Sequence, residues 1–208
     1  MLNMNSRSIK SLISVCFIFS SHCSFGIPDD NFIDTAKDYL NVPGPINLDN
    51  THYNLAWSSH PNSHYFKQEY IPTGDDIEHF SKMVFIDVLT DTFTLEEVVS
   101  LKIRQLENMK INNPVINYML IQNADSTEYI LDFVLSQGSP RVDLVEWNIY
   151  RYKIFVDSAG HKGVLLFANS IRSYGNAIRD FFGSLSATRK RMITILRKYE
   201  MPEVKIED

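Results

Sequence analysis

Residues 115–172 decide the fold, and they read VINYMLIQNADSTEYILDFVLSQGSPRVDLVEWNIYRYKIFVDSAGHKGVLLFANSIR. Four apolar runs follow one another in this stretch, at 115–121, 129–135, 144–155 and 164–171. These runs are rich in the β-branched and aromatic residues that suit a pleated surface. Each run is therefore predicted to form a β-strand.

Three short polar segments separate the runs, and each contains residues that tolerate a tight or left-handed backbone. The segments lie at 123–126, 136–140 and 157–161, where Asn, Asp, Ser, Gly and Pro concentrate. Connections this short join neighbouring antiparallel strands. The stretch is predicted to be a four-stranded antiparallel meander on which the rest of the chain packs.

The upstream half of the chain predicts three more strands and a helix. The strands are expected at 52–58, 65–71 and 82–89. The helix opens with a capping box, in which Thr94 and Glu97 satisfy each other's backbone amides. Its apolar positions recur at near-helical spacing: Leu95, Val98, Val99, Ile103, Leu106 and Met109. Its charged positions are expected on the wetter side: Lys102, Arg104, Glu107 and Lys110.

A second helix is predicted from about 176 to 199, and Pro202 ends it. Its apolar stripe is Ile178, Phe181, Phe182, Leu185, Met192, Ile195, Leu196 and Tyr199. Gly183 lies inside this pattern, where glycine costs about 1 kcal/mol relative to alanine. Either another backbone approaches closely at Gly183 or the helix is broken there.

Together these elements predict an α+β fold. An antiparallel sheet of about six to seven strands, including the four-stranded meander, is expected to be covered by two long helices. A length of 208 residues with 44% hydrophobic content fits a single domain. That domain is expected at 51–200, after a lead-in arm at 27–50 and before a tail at 201–208.

Residues 1–26 have the three-part pattern of a secretory signal peptide. Arg7 and Lys10 supply the positive region, an apolar stretch follows, and Ser24 and Gly26 are the small residues before a cleavage site. The protein is therefore expected to be exported, either to the periplasm or out of the cell. The competing interpretation is a buried amino-terminal strand or helix.

Both cysteines, Cys16 and Cys23, lie in this segment, so the mature chain would have no disulfide, reactive thiol or thiolate metal site. A lipid on Cys23 is a minority alternative, because His22 stands where a small residue is wanted.

Loss of the two basic residues in 1–26, which holds no acid, changes the formal charge from -5 to -7. An acidic chain is a poor candidate for nucleic-acid binding, and the apolar stretch is too short to predict a transmembrane segment.

The densest group of candidate metal ligands or acid–base residues is His60, His64, Asp75, Asp76, Glu78 and His79. His60 and His64 have the four-residue spacing that places two imidazoles on one face of a helix, but here the spacing spans a predicted turn. One hypothesis is a metal site at His60, His64 and His79, and the other is a solvated histidine-rich loop. No cofactor is expected.

Three acids, Glu128, Asp132 and Glu146, fall on predicted strands of the meander. Two carboxylates that face one cleft could hydrolyse a glycoside if they were held about 5 to 9.5 Å apart. Exposed acids on strands are common, so a solvated face is the favoured interpretation. No residue is assigned a catalytic role.

The candidate ligand-binding residues are Trp147, Tyr150, Arg151 and Tyr152, on the predicted strand 144–155. Strand alternation places Trp147 on one face and both tyrosines on the other. Amphipathic aromatic residues are enriched at binding sites. A core that is covered on both faces explains them equally well.

The order of elements, three strands, a helix, four strands and a final helix, resembles the PsbP/Mog1-like α+β sandwich. The resemblance covers roughly residues 52–199 and includes the segment Glu128-Tyr129-Ile130-Leu131-Asp132-Phe133. It implies a sheet covered by helices and a non-enzymatic accessory or binding role, and it assigns no functional residue.

The function predicted from the sequence is an exported, non-enzymatic binding or accessory protein whose partner is a protein or a small molecule. The alternative is a secreted hydrolase that uses carboxylates or a histidine-rich metal site. No motif in the chain identifies a reaction, a ligand or an oligomeric state.

Overall fold

One antiparallel sheet of eight strands dominates the computed structural model, which describes residues 36–90, 92–138 and 140–206. The strands are β1 Ile46–Leu48, β2 Thr51–Asn62, β3 Tyr65–Pro72, β4 Lys82–Thr90, β5 Asn117–Gln122, β6 Glu128–Gln137, β7 Leu144–Val156 and β8 Lys162–Tyr174. Their order in the sheet is β1-β2-β3-β4-β8-β7-β6-β5. Two four-stranded meanders therefore meet where β4 pairs with β8. The sheet is curled into a half-barrel.

Two helices lie on opposite faces of this sheet. Helix α1 is Leu95–Lys110, and helix α2 is Ile178–Lys198, entered through a short 3-10 turn at Gly175–Ala177. Adjacent residues of β6 mark the two faces, because strand side chains alternate. Arg189 of α2 pairs with Asp132, whereas Lys102 of α1 lies over the Phe133 ring. In the described ranges, no helix is long and apolar enough to cross a membrane.

The prediction of a sheet of six to seven strands covered by two long helices is wrong. The sheet has eight strands, and strand β1 arises inside the presumed lead-in arm. Strands about 4.8 Å apart make a sheet of this size about 34 Å wide, whereas a helix is about 10 Å wide. A single helix per face, of 16 residues in α1 and 21 in α2, cannot cover that width. The central strands β4, β8, β7 and β6 are mostly buried, whereas the outer strands β2 and β5 keep many half-buried or exposed side chains.

The four apolar runs of the carboxy-terminal half do form consecutive antiparallel strands, β5 to β8. Strands β7 and β8 are longer than the runs suggested, with 13 residues each. Their pairing extends from Leu144 opposite Tyr174 to Val156 opposite Lys162. These two long strands form the centre on which both helices pack.

The start of α1 follows the predicted capping box. Glu97 N donates to Thr94 Oγ1 at 3.2 Å, and Thr94 N donates to Glu97 Oε2 at 2.8 Å. The expectation that Lys102 lies on the wet side of this helix is wrong, since only 3% of the residue is exposed. Gly183 in α2 stands in open space, so no close backbone approach explains it.

The described parts of the presumed arm and tail belong to the same core as the strands. Leu40, Val42, Val204 and Ile206 are buried in the cluster that also contains the α2 side chains. Lys205 N donates to Leu40 O at 3.0 Å, which joins the two ends of the described chain. The two ends therefore help to close the face under α2. Residues 27–35 of the presumed lead-in arm lie outside the described residues.

Candidate functional site

Four ionisable side chains are brought together on the face of the sheet that α1 covers. Lys67 and Glu69 come from alternate positions of β3, Asp87 lies opposite Lys67 on β4, and Lys102 comes from α1. We call these four residues the buried charge cluster. Asp87 is 1% exposed and Glu69 5% exposed, so most of this charge is removed from water.

The hydrogen bonds within the cluster leave one acceptor unused. Lys67 Nζ lies 2.6 Å from Glu69 Oε1, and Tyr65 OH donates to Asp87 Oδ2 at 3.2 Å. Asp87 Oδ1 is buried and accepts no hydrogen bond from the described residues. Most buried polar groups in proteins are hydrogen-bonded, so this oxygen is an exception that needs a reason.

Aromatic rings enclose the two lysines of the cluster. Lys67 Nζ lies 5.2 Å from the Phe85 ring centroid, and Lys102 Nζ lies 4.8 Å from Phe133 and 5.3 Å from Tyr150. Tyr150 meets both phenylalanines edge to face, with centroids 5.2 Å from Phe85 and 4.8 Å from Phe133. A cation over a ring face is stabilised by the ring quadrupole. The cluster therefore combines charge with apolar walls.

Burial decides the electrostatics of Asp87. It raises the pKa of this carboxyl from 3.8 to about 7, against the opposing effects of Lys67, the Tyr65 hydrogen bond and Lys102, while Glu69 adds to the rise. A buried carboxylate is normally expelled, neutralised or paired. Asp87 is therefore a group whose charge changes near neutral pH. Such groups concentrate at functional sites.

A second polar pair lies on the same face, away from the buried charge cluster. Ser170 Oγ donates to Asn148 Oδ1, whereas Asn148 Nδ2 is buried and finds no acceptor in the described residues. The two residues are direct neighbours across β7 and β8. Ser170 is four residues along β8 from Leu166, the partner of Asp87. The two polar sites are therefore separate.

The four residues predicted to bind a ligand are all buried and are split between the two faces. Trp147 and Arg151 face α2, where Trp147 Nε1 donates to Asp132 at 2.5 Å. Tyr150 and Tyr152 face α1, and Tyr150 belongs to the aromatic wall of the buried charge cluster. The alternation predicted from the sequence is present, but it does not give one common surface.

Arg151 joins a strand to the end of α2. Its guanidinium donates hydrogen bonds to both carboxylate oxygens of Glu128, and the shortest of these contacts is 2.8 Å. Its other nitrogen donates to the carbonyls of Leu196 and Tyr199, each at 2.8 Å. Carbonyls at a helix end lack intrahelical partners and carry partial negative charge. Arg151 therefore docks and caps the helix.

The three strand acids that could have formed a hydrolytic pair each engage an arginine instead. Such pairing places a carboxylate in a fixed structural contact and satisfies its oxygens. The pairs are Glu128 with Arg151 at 2.8 Å, Asp132 with Arg189 at 2.7 Å and Glu146 with Arg172 at 2.5 Å. Asp132 is fully buried, and it also accepts the Trp147 bond.

The three histidines of the predicted metal site have different neighbours. The His60 ring stacks on Phe66 with centroids 4.0 Å apart, and His64 Nδ1 lies 2.8 Å from Thr90 O. His79 lies 3.8 Å from Asp76 in an exposed loop. There, ligand atoms of Asp76, Glu78 and His79 fall within 4.8 Å of one another. Exposed acidic groups of this kind are common without a metal.

The sequence contains weak indications of the buried charge cluster. Asp87 breaks an apolar alternation on β4, and Lys67 and Glu69 share a strand face with two-residue spacing. Lys102 continues the stripe of buried positions in α1, seven residues after Leu95 and four before Leu106. A charge at a stripe position is an indication of a buried or functional group. Proximity to Asp87, however, arises only from the fold.

A family model matches residues 40–201, which contain all eight strands and both helices. The matched family is an uncharacterised one, and the match does not establish a PsbP/Mog1 relationship. The α+β fold itself is confirmed. No curated protein and no solved structure matches the chain.

Proposed function

We propose that this chain, which belongs to the uncharacterised family matched over residues 40–201, is a non-enzymatic binding protein. Its ligand site is the buried charge cluster. One observation carries the proposal: Asp87 Oδ1 is a buried acceptor that takes no hydrogen bond from the described residues. Leaving such an atom unsatisfied costs about 1 to 3 kcal/mol. A ligand that donates to this oxygen recovers that free energy.

The surroundings of Asp87 favour a neutral ligand with a mainly apolar body and one hydrogen-bond donor. Lys67 and Glu69 neutralise each other at 2.6 Å, and Lys102 supplies a positive charge against Asp87. A charged ligand would add an uncompensated charge to a buried site, which is costly. The rings around the lysines suit an aromatic or aliphatic body.

Access to the site requires movement of α1. Asp87 is 1% exposed, and α1 contributes one member of the cluster, Lys102. Ligand binding and the position of this helix are therefore linked, because a ligand can favour only the conformation that it contacts. Binding should change the environment of the backbone amides along α1 and β4.

The hydrolase alternative has no comparable support. Each of the three strand acids contacts an arginine, and the three histidines have different neighbours. A carboxylate that is to act as a nucleophile or a base must be free to approach the substrate. We therefore propose binding without turnover as the activity of the cluster.

We further propose that the protein acts after export. The support is the three-part pattern of residues 1–26, which lie outside the described residues. The intact mass of the protein from its own host tests this proposal. A mass that corresponds to a chain beginning at Ile27 supports export, and retention of residues 1–26 contradicts it.

Phenol and anisole test the ligand class, because they share a ring and differ in the hydroxyl donor. Phenol at up to about 10 mM should shift the backbone amide resonances of α1 and β4 in the full chain, as expected for a fragment-sized ligand. Anisole should bind about ten-fold more weakly, since it cannot donate to Asp87 Oδ1. Native mass spectrometry of the protein from its own host should reveal a bound small molecule.

Two matched variants complete the test. Asp87→Leu removes the acceptor while keeping the branching at Cγ and should abolish the preference for phenol, whereas Asp76→Leu changes an exposed acid and should leave it unchanged. Phenol shifts that are absent from α1 and β4, or equal binding of phenol and anisole, would contradict the proposed site. Hydrolysis of a substrate that depends on Asp87 would contradict the non-enzymatic function.

A further inference from the structure

Strand β5 is an edge of the sheet that the described residues form. It stands last in the strand order, and within the described residues its only hydrogen-bonded neighbour is β6. The two side chains at its middle, Met119 and Leu120, are each 40% exposed. One is on each face of the sheet, because strand side chains alternate. Among the described residues, this edge therefore combines backbone groups that pair with no further strand and partly exposed apolar side chains.

Strand β5 lacks the features that usually protect an edge. Its sequence, Asn-Tyr-Met-Leu-Ile-Gln, has no charged residue and no proline, and its pairing with β6 continues without a bulge. Natural edges are commonly protected by lysine, proline, bulges or a very short strand. The opposite edge has such protection, since β1 has three residues and both Ile46 and Leu48 are buried.

The absence of charge favours a particular occupant. When an edge strand pairs antiparallel with its own copy, the two-fold axis passes between equivalent residues, so the central residue faces itself. A charged strand would then bring like charges together, which is destabilising. Strand β5 has two central residues, Met119 and Leu120, and both are uncharged, so the repulsion is avoided whichever of them faces its own copy.

We propose that β5 pairs antiparallel with β5 of a second copy of this chain, which makes one continuous sheet across a two-fold dimer. The contact is isologous, so it closes after two copies. Pairing of β5 with β1 of the next copy would be heterologous and would generate an open chain of copies, and the short β1 does not support it. The dimer leaves the buried charge cluster of each copy within its own sheet.

Sedimentation of the full chain tests the dimer, and Leu120→Lys tests the edge. The unchanged chain should form dimers, and the lysine variant should dimerise at least about ten-fold more weakly because two like charges lie close to the axis. Ile154→Lys is the matched control. Ile154 is 55% exposed on β7, away from the edge, so this variant should retain the dimer.

A charge-pair rescue separates a lost interface from a lost fold. The Leu120→Lys chain and the Leu120→Glu chain should each dimerise weakly when alone. A mixture of the two chains should recover dimers, because opposite charges then lie close together across the axis. Amide exchange at 117–122 should slow as concentration rises in the unchanged chain. Three results would overturn the proposal. The unchanged chain could remain a monomer at about 100 µM, it could form oligomers of more than two copies, or its dimer could be equally stable with a charge at position 120. These outcomes do not depend on binding of phenol.

Discussion

At the scale of single residues, Asp87 makes the stability of the protein depend on pH. The pKa of its carboxyl is raised from 3.8 to about 7 by burial, so the folded state holds a proton that the unfolded state has already released. Between these two values the free energy of unfolding falls as pH rises. The rise in pKa corresponds to about 4 kcal/mol, lost between about pH 4 and pH 7.

Asp87→Asn checks this dependence, because asparagine is nearly isosteric and does not titrate. Urea unfolding across pH 4 to 7.5 should show a declining free energy in the unchanged protein and a much flatter profile in the variant. The groups facing Asp87 are Lys67 and Glu69 from β3, Tyr65 beside them and Lys102 from α1. Parallel profiles for the two proteins would show that Asp87 is not the group that titrates.

At the scale of elements, two glycines should respond in opposite directions to the same change. A Cβ at Gly163 in β8 would lie 1.8 Å from Leu89 O, whereas a Cβ at Gly183 in α2 meets nothing within 4 Å. Gly163→Ala should therefore destabilise by about 1 to 3 kcal/mol through overpacking against β4. Gly183→Ala should stabilise by about 0.5 to 1 kcal/mol through helix propensity.

Urea midpoints of the two alanine variants provide the measurement, and each variant is the control for the other. Shifts of the same sign would contradict the difference in local environment. A destabilising Gly183→Ala would show that the exposed face of α2 is covered in the intact protein.

The sequence located most elements because their signals are local. The four runs of the meander and the capping box of α1 depend on residues that are neighbours in the chain. Strand β1 has only three residues, which is too few for a recognisable alternation. Its pairing with β2, and therefore the eighth strand, depends on a tight turn after Leu48.

At the scale of the whole molecule, the candidate site could not be predicted because its residues are distant in sequence. Lys67, Asp87 and Lys102 meet only when the β3–β4 pair curls beneath α1. Charged residues are mostly exposed in proteins, so the local sequence predicts that these side chains are exposed. Their burial depends on the complete fold. The same limit explains Arg151, whose partners include Glu128 and the end of α2.

The two ends of the described chain should also contribute to global stability. Val204 and Ile206 are buried against the core under α2, and Lys205 N bonds to Leu40 O at 3.0 Å. Replacing both apolar residues with alanine removes buried methyl groups from a shared core. The expected loss is about 2 to 5 kcal/mol, because the surrounding side chains relax only partly around the space that remains.

The alternating sequence of this segment offers a matched control for the same number of substitutions. Glu203→Ala with Lys205→Ala changes exposed side chains that contact each other at 3.4 Å, and exposed ion pairs contribute little. Thermal unfolding should therefore separate the two double variants by many degrees, with the Val204 and Ile206 variant unfolding first. Equal midpoints would mean that residues 201–208 behave as the separate tail expected from the sequence, and the core under α2 would then have to be stable without them.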